Sequence, residues 1–201
     1  MSLIQDYQSK VVSAEKAVSV VKSGDWVDYG AFCCAPEFLD AALAKRADRL
    51  QDVKIRALAF PGSAAVVSGG FVYNSWHFSG AERKNHDRGD CHFIPFVYHE
   101  GPSHYRQNIR TDVCMVRTAP MDDNGCFNFG IANSFQRAII ENAKTVIVEV
   151  NENIPQCQGG YDHSVHLSEV DYVVLSDNKR LLTLPEPEVS QVDQTIPSLI
   201  I

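Results

Sequence analysis

Apolar and polar positions along the chain switch between two periods, which predicts helices and strands in turn. Residues 12–22 place apolar side chains at three- and four-residue spacings, and Ser13 is a plausible N-cap, so this segment predicts a helix. Gly24 is a typical helix end, and residues 25–29 alternate with period two. The opening of the chain therefore predicts a helix that leads into a strand.

The same alternation continues to the end of the chain. Pro36 suits a first helical turn and precedes an apolar stripe, and residues 132–142 carry a second one. Strand-like segments follow one another between turn-rich stretches such as 120–130; they are residues 53–60, 71–78, 92–98, 112–117, 145–150 and 170–175. Pro95 places the third of them at an edge or a boundary. The pattern predicts an α/β fold, an open, mainly parallel sheet with flanking helices.

Three loops are candidate ligand sites because of this architecture. Ligands of open α/β sheets bind beyond the carboxyl ends of the strands. The segments that follow predicted strands there are residues 30–36, 60–70 and 118–133. We expect these loops to face a ligand.

Charge and composition limit the classes of partner that the chain is expected to bind. The 201 residues carry a formal charge of −7, from 25 acidic and 18 basic residues, and no run of Lys or Arg exceeds two. A nucleic-acid partner is therefore not expected, although a local basic pocket for a nucleotide-like cofactor stays an alternative. The start has no signal-like apolar region, and no apolar stretch approaches the ~20 residues of a membrane span. We expect a cytoplasmic protein, whose six scattered cysteines are reduced and mostly buried.

Candidate catalytic groups are few, and each has a plain structural alternative. The two histidine pairs, His99 with His104 and His163 with His166, do not supply the three or four convergent ligands of a zinc site, so no metal is predicted. Cys33 and Cys34 precede a predicted helix, which would favour a thiolate, but their apolar neighbours favour an inert thiol. Glu149 ends a predicted strand as a candidate acid, base or nucleophile, with a solvated surface carboxylate as the alternative.

The tail suggests a boundary between two parts of the chain. Residues 184–188 (LPEPE) are proline-rich and predict a linker. The chain then finishes on apolar residues, which we interpret as the start of a missing carboxyl-terminal domain, with a docked terminal strand as the alternative. The expected division is an amino-terminal domain at 1–184 and a linker with the start of the next domain at 185–201.

Several ordered segments resemble a known family. They include SGDWVDYG (23–30), NSWHFSGAERK (74–84), APMDDNGCFNFG (119–130) and VEVNENIP (148–155). In these stretches the chain resembles the acetyl-CoA hydrolase/transferase family of class I CoA-transferases, and within it the butyryl-CoA:acetate and 4-hydroxybutyrate CoA-transferases. The resemblance covers the amino-terminal half of such enzymes.

The resemblance implies a fold and a mechanism. It implies a CoA-transferase (NagB-RpiA-like) domain and a ping-pong reaction in which a glutamate takes up CoA as a thioester. The glutamate and a glycine-rich oxyanion loop belong to the carboxyl-terminal half of the family and match no position here. No catalytic residue is therefore assigned, and the fragment alone is expected to be inactive.

The resemblance also implies a substrate wall, partners and alternatives. The expected substrate-binding residues are Gly30, Ala31, Phe32 and Cys33 together with Pro120, Met121, Asn124 and Gly125. Scaffolding alone is the alternative for the tight turn at Asn124-Gly125. Expected partners are the carboxyl-terminal half, an acyl-CoA, a short carboxylic acid and a second copy in a homodimer, with coenzyme A as substrate and no other cofactor. An acyl-CoA hydrolase and a non-catalytic binding domain are the alternative functions.

Overall fold

Nine strands and seven helices make up the described part of the chain. The computed structural model describes residues 2–183 and 186–199. The strands are β1 (Trp26–Tyr29), β2 (Lys54–Ala57), β3 (Val72–Ser75), β4 (His92–Phe93), β5 (Thr111–Thr118), β6 (Cys126–Asn128), β7 (Ala143–Val150), β8 (Ser164–His166) and β9 (Tyr172–Leu175). The helices are α1 (Leu3–Lys10), α2 (Ala14–Val18), α3 (Glu37–Ala44), α4 (Gly80–Asp87), α5 (Gly101–Gln107), α6 (Gln136–Asn142) and α7 (Gln191–Ser198). No helix in these ranges is long and apolar enough to cross a membrane.

Seven of the strands form one parallel sheet in the order β4-β3-β2-β1-β5-β7-β9. The predicted α/β class with a parallel sheet is therefore confirmed. β1 lies in the middle, with Val27 beside Ile55 of β2 on one side and Val113 of β5 on the other. The chain runs outward from β1 in both directions, so the strand order reverses between β1 and β5. Such a reversal opens a crevice at the carboxyl ends of the strands.

The core lies on both faces of the sheet because the central strands are apolar on both sides. In β5, Val113 and Met115 pack into one cluster with α2 and α3, whereas Cys114 and Val116 pack into the other with α5 and α6. All eight residues of β5 are buried. The sheet is thus covered by helices on both faces, and its carboxyl edge stays accessible to ligands.

Local signals set several element boundaries as predicted. The Ser13 hydroxyl caps α2 by accepting a hydrogen bond from the N–H of Lys16 at 3.2 Å. Pro36 stands at the N-cap of α3. β4 has only two residues and lies at the sheet edge, as Pro95 predicted.

Tertiary contacts changed other predictions. The helix predicted at 12–22 is confined to Ala14–Val18, because the chain before it is tied to β9: Val11 is extended and bridges to Val173, and the Val12 N–H donates to Val173 O at 2.9 Å. The segment 120–130 contains β6, which pairs with the distant β8. The alternative of a docked terminal strand is wrong for Gln191–Ser198, which is helical and has no buried residue. The boundary expected at 184 and 185, and the last two residues of the tail, lie outside the described residues.

Candidate functional site

A cavity of about 550 Å³ lies at the crevice between β1 and β5. Its wall is built from Arg117 of β5, from the segments that follow β1, β2, β3 and β5, and from Leu181 and Leu182 beyond β9. Each of the three loops predicted to face a ligand contributes to it, through Phe32, Phe60 and Ile131 respectively. The lining is mostly apolar, so the cavity suits a small ligand with an apolar body.

The end of β1 forms one side of this cavity. Gly30 and Ala31 are buried behind the wall, and the N–H of Gly30 donates to Met115 O at 2.9 Å. Phe32 and Cys33 line the cavity itself. Of the first four predicted substrate residues, two therefore face the cavity and two support them from behind.

Two residues of the wall adopt the left-handed backbone region without being glycine. Phe32 has φ of 52° and Ala59 has φ of 49°, and both line the cavity. The N–H of Phe32 donates to Leu58 O at 3.0 Å, so the turns after β1 and β2 hold each other. Such conformations cost about 1–3 kcal/mol each and cluster at functional sites. This part of the cavity wall thus consists of two strained turns, after β1 and after β2, that are joined by a hydrogen bond.

Arg117, near the carboxyl end of β5, is the one charged residue in the cavity lining, among the described residues. Arg117 is buried, with 1% of its surface exposed. Nε donates to Cys33 O at 2.8 Å, and Nη1 donates to the Glu37 carboxylate at 2.8 Å. Lys179 pairs with the other carboxylate oxygen of Glu37. These contacts fix the guanidinium group against the turn that carries Phe32.

Glu149 of β7 lies beside Arg117 and caps α3. Its Oε2 accepts hydrogen bonds from the N–H groups of Phe38 at 3.1 Å and Leu39 at 2.9 Å. Burial raises the pKa of Glu149 to about 7, against the opposing effects of the two N–H groups and Arg117. A second cavity of about 170 Å³ is lined by Glu149, Arg117, Glu37, Asp177 and Lys179 among others. The solvated carboxylate expected as the plain alternative for Glu149 is wrong, because its side chain is buried.

The second group of predicted substrate residues lies elsewhere. Pro120, Met121, Asn124 and Gly125 follow β5 and lead into β6, outside the lining of the 550 Å³ cavity. The predicted tight turn is present, since the Gly125 N–H donates to Asp122 O at 3.0 Å and Gly125 has φ of 82°. Met121 forms an isolated bridge with Phe127. Contact of these four residues with substrate stays a prediction.

Thiol chemistry is disfavoured at Cys34. Its side chain is buried, and burial raises its pKa to about 12, so the thiolate is scarce at neutral pH. All six cysteines are free thiols. Over residues 2–183 and 186–199, no group of three or more His, Cys, Asp or Glu side chains is arranged to hold a metal ion.

Arg117 is the site residue that sequence reasoning missed. The signal was available, because arginine is rarely buried without a partner and here interrupts the apolar segment VCMVRT. Its partners, however, come from the turn at Cys33 and from Glu37 of α3. Their meeting depends on the strand order, which the local pattern does not contain.

The comparison with family models decides the family. Residues 1–185 match the acetyl-CoA hydrolase/transferase N-terminal domain. The chain belongs to the acetyl-CoA hydrolase/transferase family. The predicted family is thereby confirmed.

Curated members of the acetyl-CoA hydrolase/transferase family show how much of a whole protein the chain represents. A butyryl-CoA:acetate CoA-transferase of Anaerostipes caccae is 41% identical over 208 residues, covering 100% of this chain and 47% of the relative. A 4-hydroxybutyrate coenzyme A transferase of Clostridium kluyveri is 30% identical, covering 94% of this chain and 45% of the relative. The chain spans about half the length of the curated relatives it matches.

Solved structures agree on the fold. RipA from Yersinia pestis superposes with a TM-score of 0.84 at 27% identity, covering 95% of this chain and 47% of that one. A 4-hydroxybutyrate CoA-transferase from Porphyromonas gingivalis superposes with a TM-score of 0.71 at 22% identity, covering 91% and 43%. The second likeness concerns the fold alone.

Proposed function

We propose that this chain is the amino-terminal half of an acyl-CoA:carboxylate CoA-transferase of the butyryl-CoA:acetate or 4-hydroxybutyrate type. One observation carries the proposal beyond family membership: the cavity at the strand reversal is apolar and contains a single buried cation, Arg117. An apolar wall suits a short acyl chain, and a fixed cation suits the polar end of the acid or thioester. The relatives that bear these names support the choice of type.

In this proposal the described residues form the substrate wall and the carboxyl-terminal half supplies the chemistry. A glutamate of that half attacks the acyl-CoA thioester and forms a mixed anhydride with release of CoA thiolate. The thiolate attacks the glutamyl carbonyl, which gives a glutamyl-CoA thioester and frees the acyl group as its carboxylate. The incoming acid then reverses these steps and leaves as the new acyl-CoA. The wall formed by Gly30, Ala31, Phe32 and Cys33 limits the length of the acyl chain, and Phe32 is its exposed face. Discrimination of one methylene in such a pocket amounts to about 1–3 kcal/mol.

The setting proposed for this reaction is the cytoplasm, with acyl-CoA and a short carboxylic acid as substrates and a homodimer as the working assembly. The second half of the wall, from Pro120 to Gly125, is proposed to contact the substrate or to shape the neighbouring surface. The tight turn at Asn124-Gly125 supports the shaping role.

Acetate dependence tests the transferase. The full-length protein, this chain with the sequence that follows it in the gene, is incubated with butyryl-CoA with and without acetate. We expect acetyl-CoA and butyrate to form only when acetate is present, with ping-pong kinetics. Thiol release at the same rate without acetate identifies a hydrolase instead, and a gene that ends near Ile201 without turnover supports a binding domain.

A further inference from the structure

We propose that the Nη2 group of Arg117 binds the carboxylate of the acid that accepts CoA, an inference that rests on the proposed transferase function only for the identity of that acid. The site would then take a short monocarboxylate, with its charged head on Arg117 and its apolar tail in the 550 Å³ cavity.

The hydrogen bonds of Arg117 leave this one nitrogen available. Nε is used by Cys33 O and Nη1 by Glu37, and Nη2 makes no hydrogen bond to a described residue. Among those residues, the one fully buried side-chain nitrogen or oxygen without a partner is Oγ of Ser79. Nη2 is therefore the guanidinium nitrogen left for a ligand, and Arg117 lines two cavities in which such a ligand can bind.

The composition of the two cavities indicates which of them receives an anion. The 170 Å³ cavity already contains the carboxylates of Glu37, Glu149 and Asp177, which repel another anion. The larger cavity has no carboxylate in its lining, so Arg117 is its single charge. An anion bound there meets a cation in an apolar setting, where charge-assisted hydrogen bonds are strong.

The start of α4 contributes surface to the site and no net positive charge. Gly80 and Ala81, the first residues of this helix, line the same cavity. The buried Glu82 carboxylate lies at this helix end, where its Oε2 accepts the N–H of Ser79 at 2.7 Å in a capping box. Among the described residues of the lining, Arg117 is therefore the single cation that an anion can meet, and apolar groups such as Phe60 and Ile131 surround the rest.

The guanidinium group is held ready for the ligand. Its bonds to the Cys33 carbonyl and to Glu37 fix its plane, and Lys179 steadies Glu37 from the other side. A preorganised cation loses little conformational entropy on binding. The same contact with Cys33 joins the charged end of the site to the turn that forms its apolar wall.

The test measures butyrate binding to the full-length protein by saturation-transfer NMR, with butyramide as the uncharged analogue of the same shape. We expect butyrate to bind and butyramide to bind at least about tenfold more weakly, a difference of about 1.4 kcal/mol, since the uncharged amide cannot form an ion pair with the guanidinium group. Arg117→Met should weaken butyrate binding by a similar factor without changing butyramide binding. Arg117→Lys should recover part of the loss, because it restores the charge without the planar fork.

Lys144→Met is the matched control, since it removes a cation at the start of β7 that pairs with Asp112 and lines neither cavity. Its butyrate affinity should stay within about twofold of wild type. Equal binding of butyrate and butyramide to the wild-type protein overturns the proposal even if the Arg117 variants do not fold. If butyrate and butyramide bind equally but the protein transfers CoA, the binding site at Arg117 is refuted and the proposed transferase function stands. If butyrate binding depends on charge but the protein transfers no CoA, the function is refuted and the binding site at Arg117 stands.

Discussion

At the scale of single residues, Glu149 is the group whose charge the fold disfavours most clearly near neutral pH. It is 1% exposed, and burial raises its pKa from 4.5 to about 7. Arg117 opposes this rise and Glu37 adds to it, and Asp177 and Lys179 line the same small cavity. Between the two pKa values the unfolded chain has released the proton and the folded chain still holds it. Stability therefore falls as pH rises from about 4.5 to about 7.

Glu149→Gln should remove this part of the pH dependence. The amide oxygen can still accept the N–H groups of Phe38 and Leu39, and no charge remains to be desolvated. At pH 8 we expect the variant to be more stable than wild type by on the order of 1–3 kcal/mol, with little difference at pH 4.5. Urea unfolding at a series of pH values between 4.5 and 8 measures the free energy of unfolding directly.

Two controls make this measurement specific. Glu152→Gln changes an exposed carboxylate of the same segment and should leave the curve unchanged. Asp40, whose pKa burial raises to about 6, should preserve a smaller slope in the Glu149→Gln variant. A uniform loss of stability at every pH would show that Glu149 is needed as a charged helix cap, contrary to the prediction.

At the scale of elements, the link from β1 to α3 is the tightest part of the site. A Cβ built on Gly30 would overlap the backbone carbonyl of Cys34, so the short turn of Phe32–Cys34 folds directly back over the strand end. The carbonyl of Cys33, in the same turn, accepts the bond from Arg117. A shift in this turn therefore moves the apolar wall and the buried cation together.

Gly30→Ala should force that shift. Backbone is the obstacle and cannot rotate away as a side chain could, so we expect a loss of about 1–3 kcal/mol in unfolding free energy and weaker butyrate binding. Gly160→Ala is the control, because its Cβ would meet nothing within 4 Å and the change should stay within about 0.5 kcal/mol. Equal stability of the two variants would mean that the turn has room to move.

Long elements of this fold can be predicted from the sequence, whereas its short elements and the contacts between distant elements cannot. Strands that are buried on both faces and helices with a capping residue have a recognisable local sequence pattern. β5, β7 and the cap at Ser13 could therefore be predicted from the sequence. β6 and β8 have three residues each and pair across a long loop, and short segments of this kind have no clear period. The loop that carries Phe32 and Cys33, which line the cavity, could be placed at the carboxyl edge of the sheet from chain order alone. The meeting of Arg117 with Glu37 and Glu149 could not, because it depends on which strands become neighbours.

At the scale of the whole molecule, the chain presents an open site. The cavity between β1 and β5 is lined on several sides by described residues, and Phe32, Ile131 and Leu182 leave exposed apolar surface around it. The curated relatives are about twice as long. In the proposed enzyme the remaining half closes this site and brings the glutamate.

The 201-residue chain by itself should therefore transfer no CoA. We expect no acetyl-CoA above the background of the buffer from butyryl-CoA and acetate, as measured by chromatography. Circular dichroism shows whether the fragment is folded, and the full-length protein assayed in parallel is the positive control. A measurable rate from the folded fragment would place a catalytic group within these residues.

The position of β1 in the middle of the sheet has a consequence for biosynthesis. β1 leaves the ribosome before every other strand, yet one of its edges has no partner until Thr111–Thr118 has been made. At about 5–20 residues per second this wait lasts seconds, during which a bare strand edge is open to pairing with other chains. The free edge of β1 is thus open to aggregation until β5 appears, and the same strand that covers this edge also delivers Arg117 to the cavity.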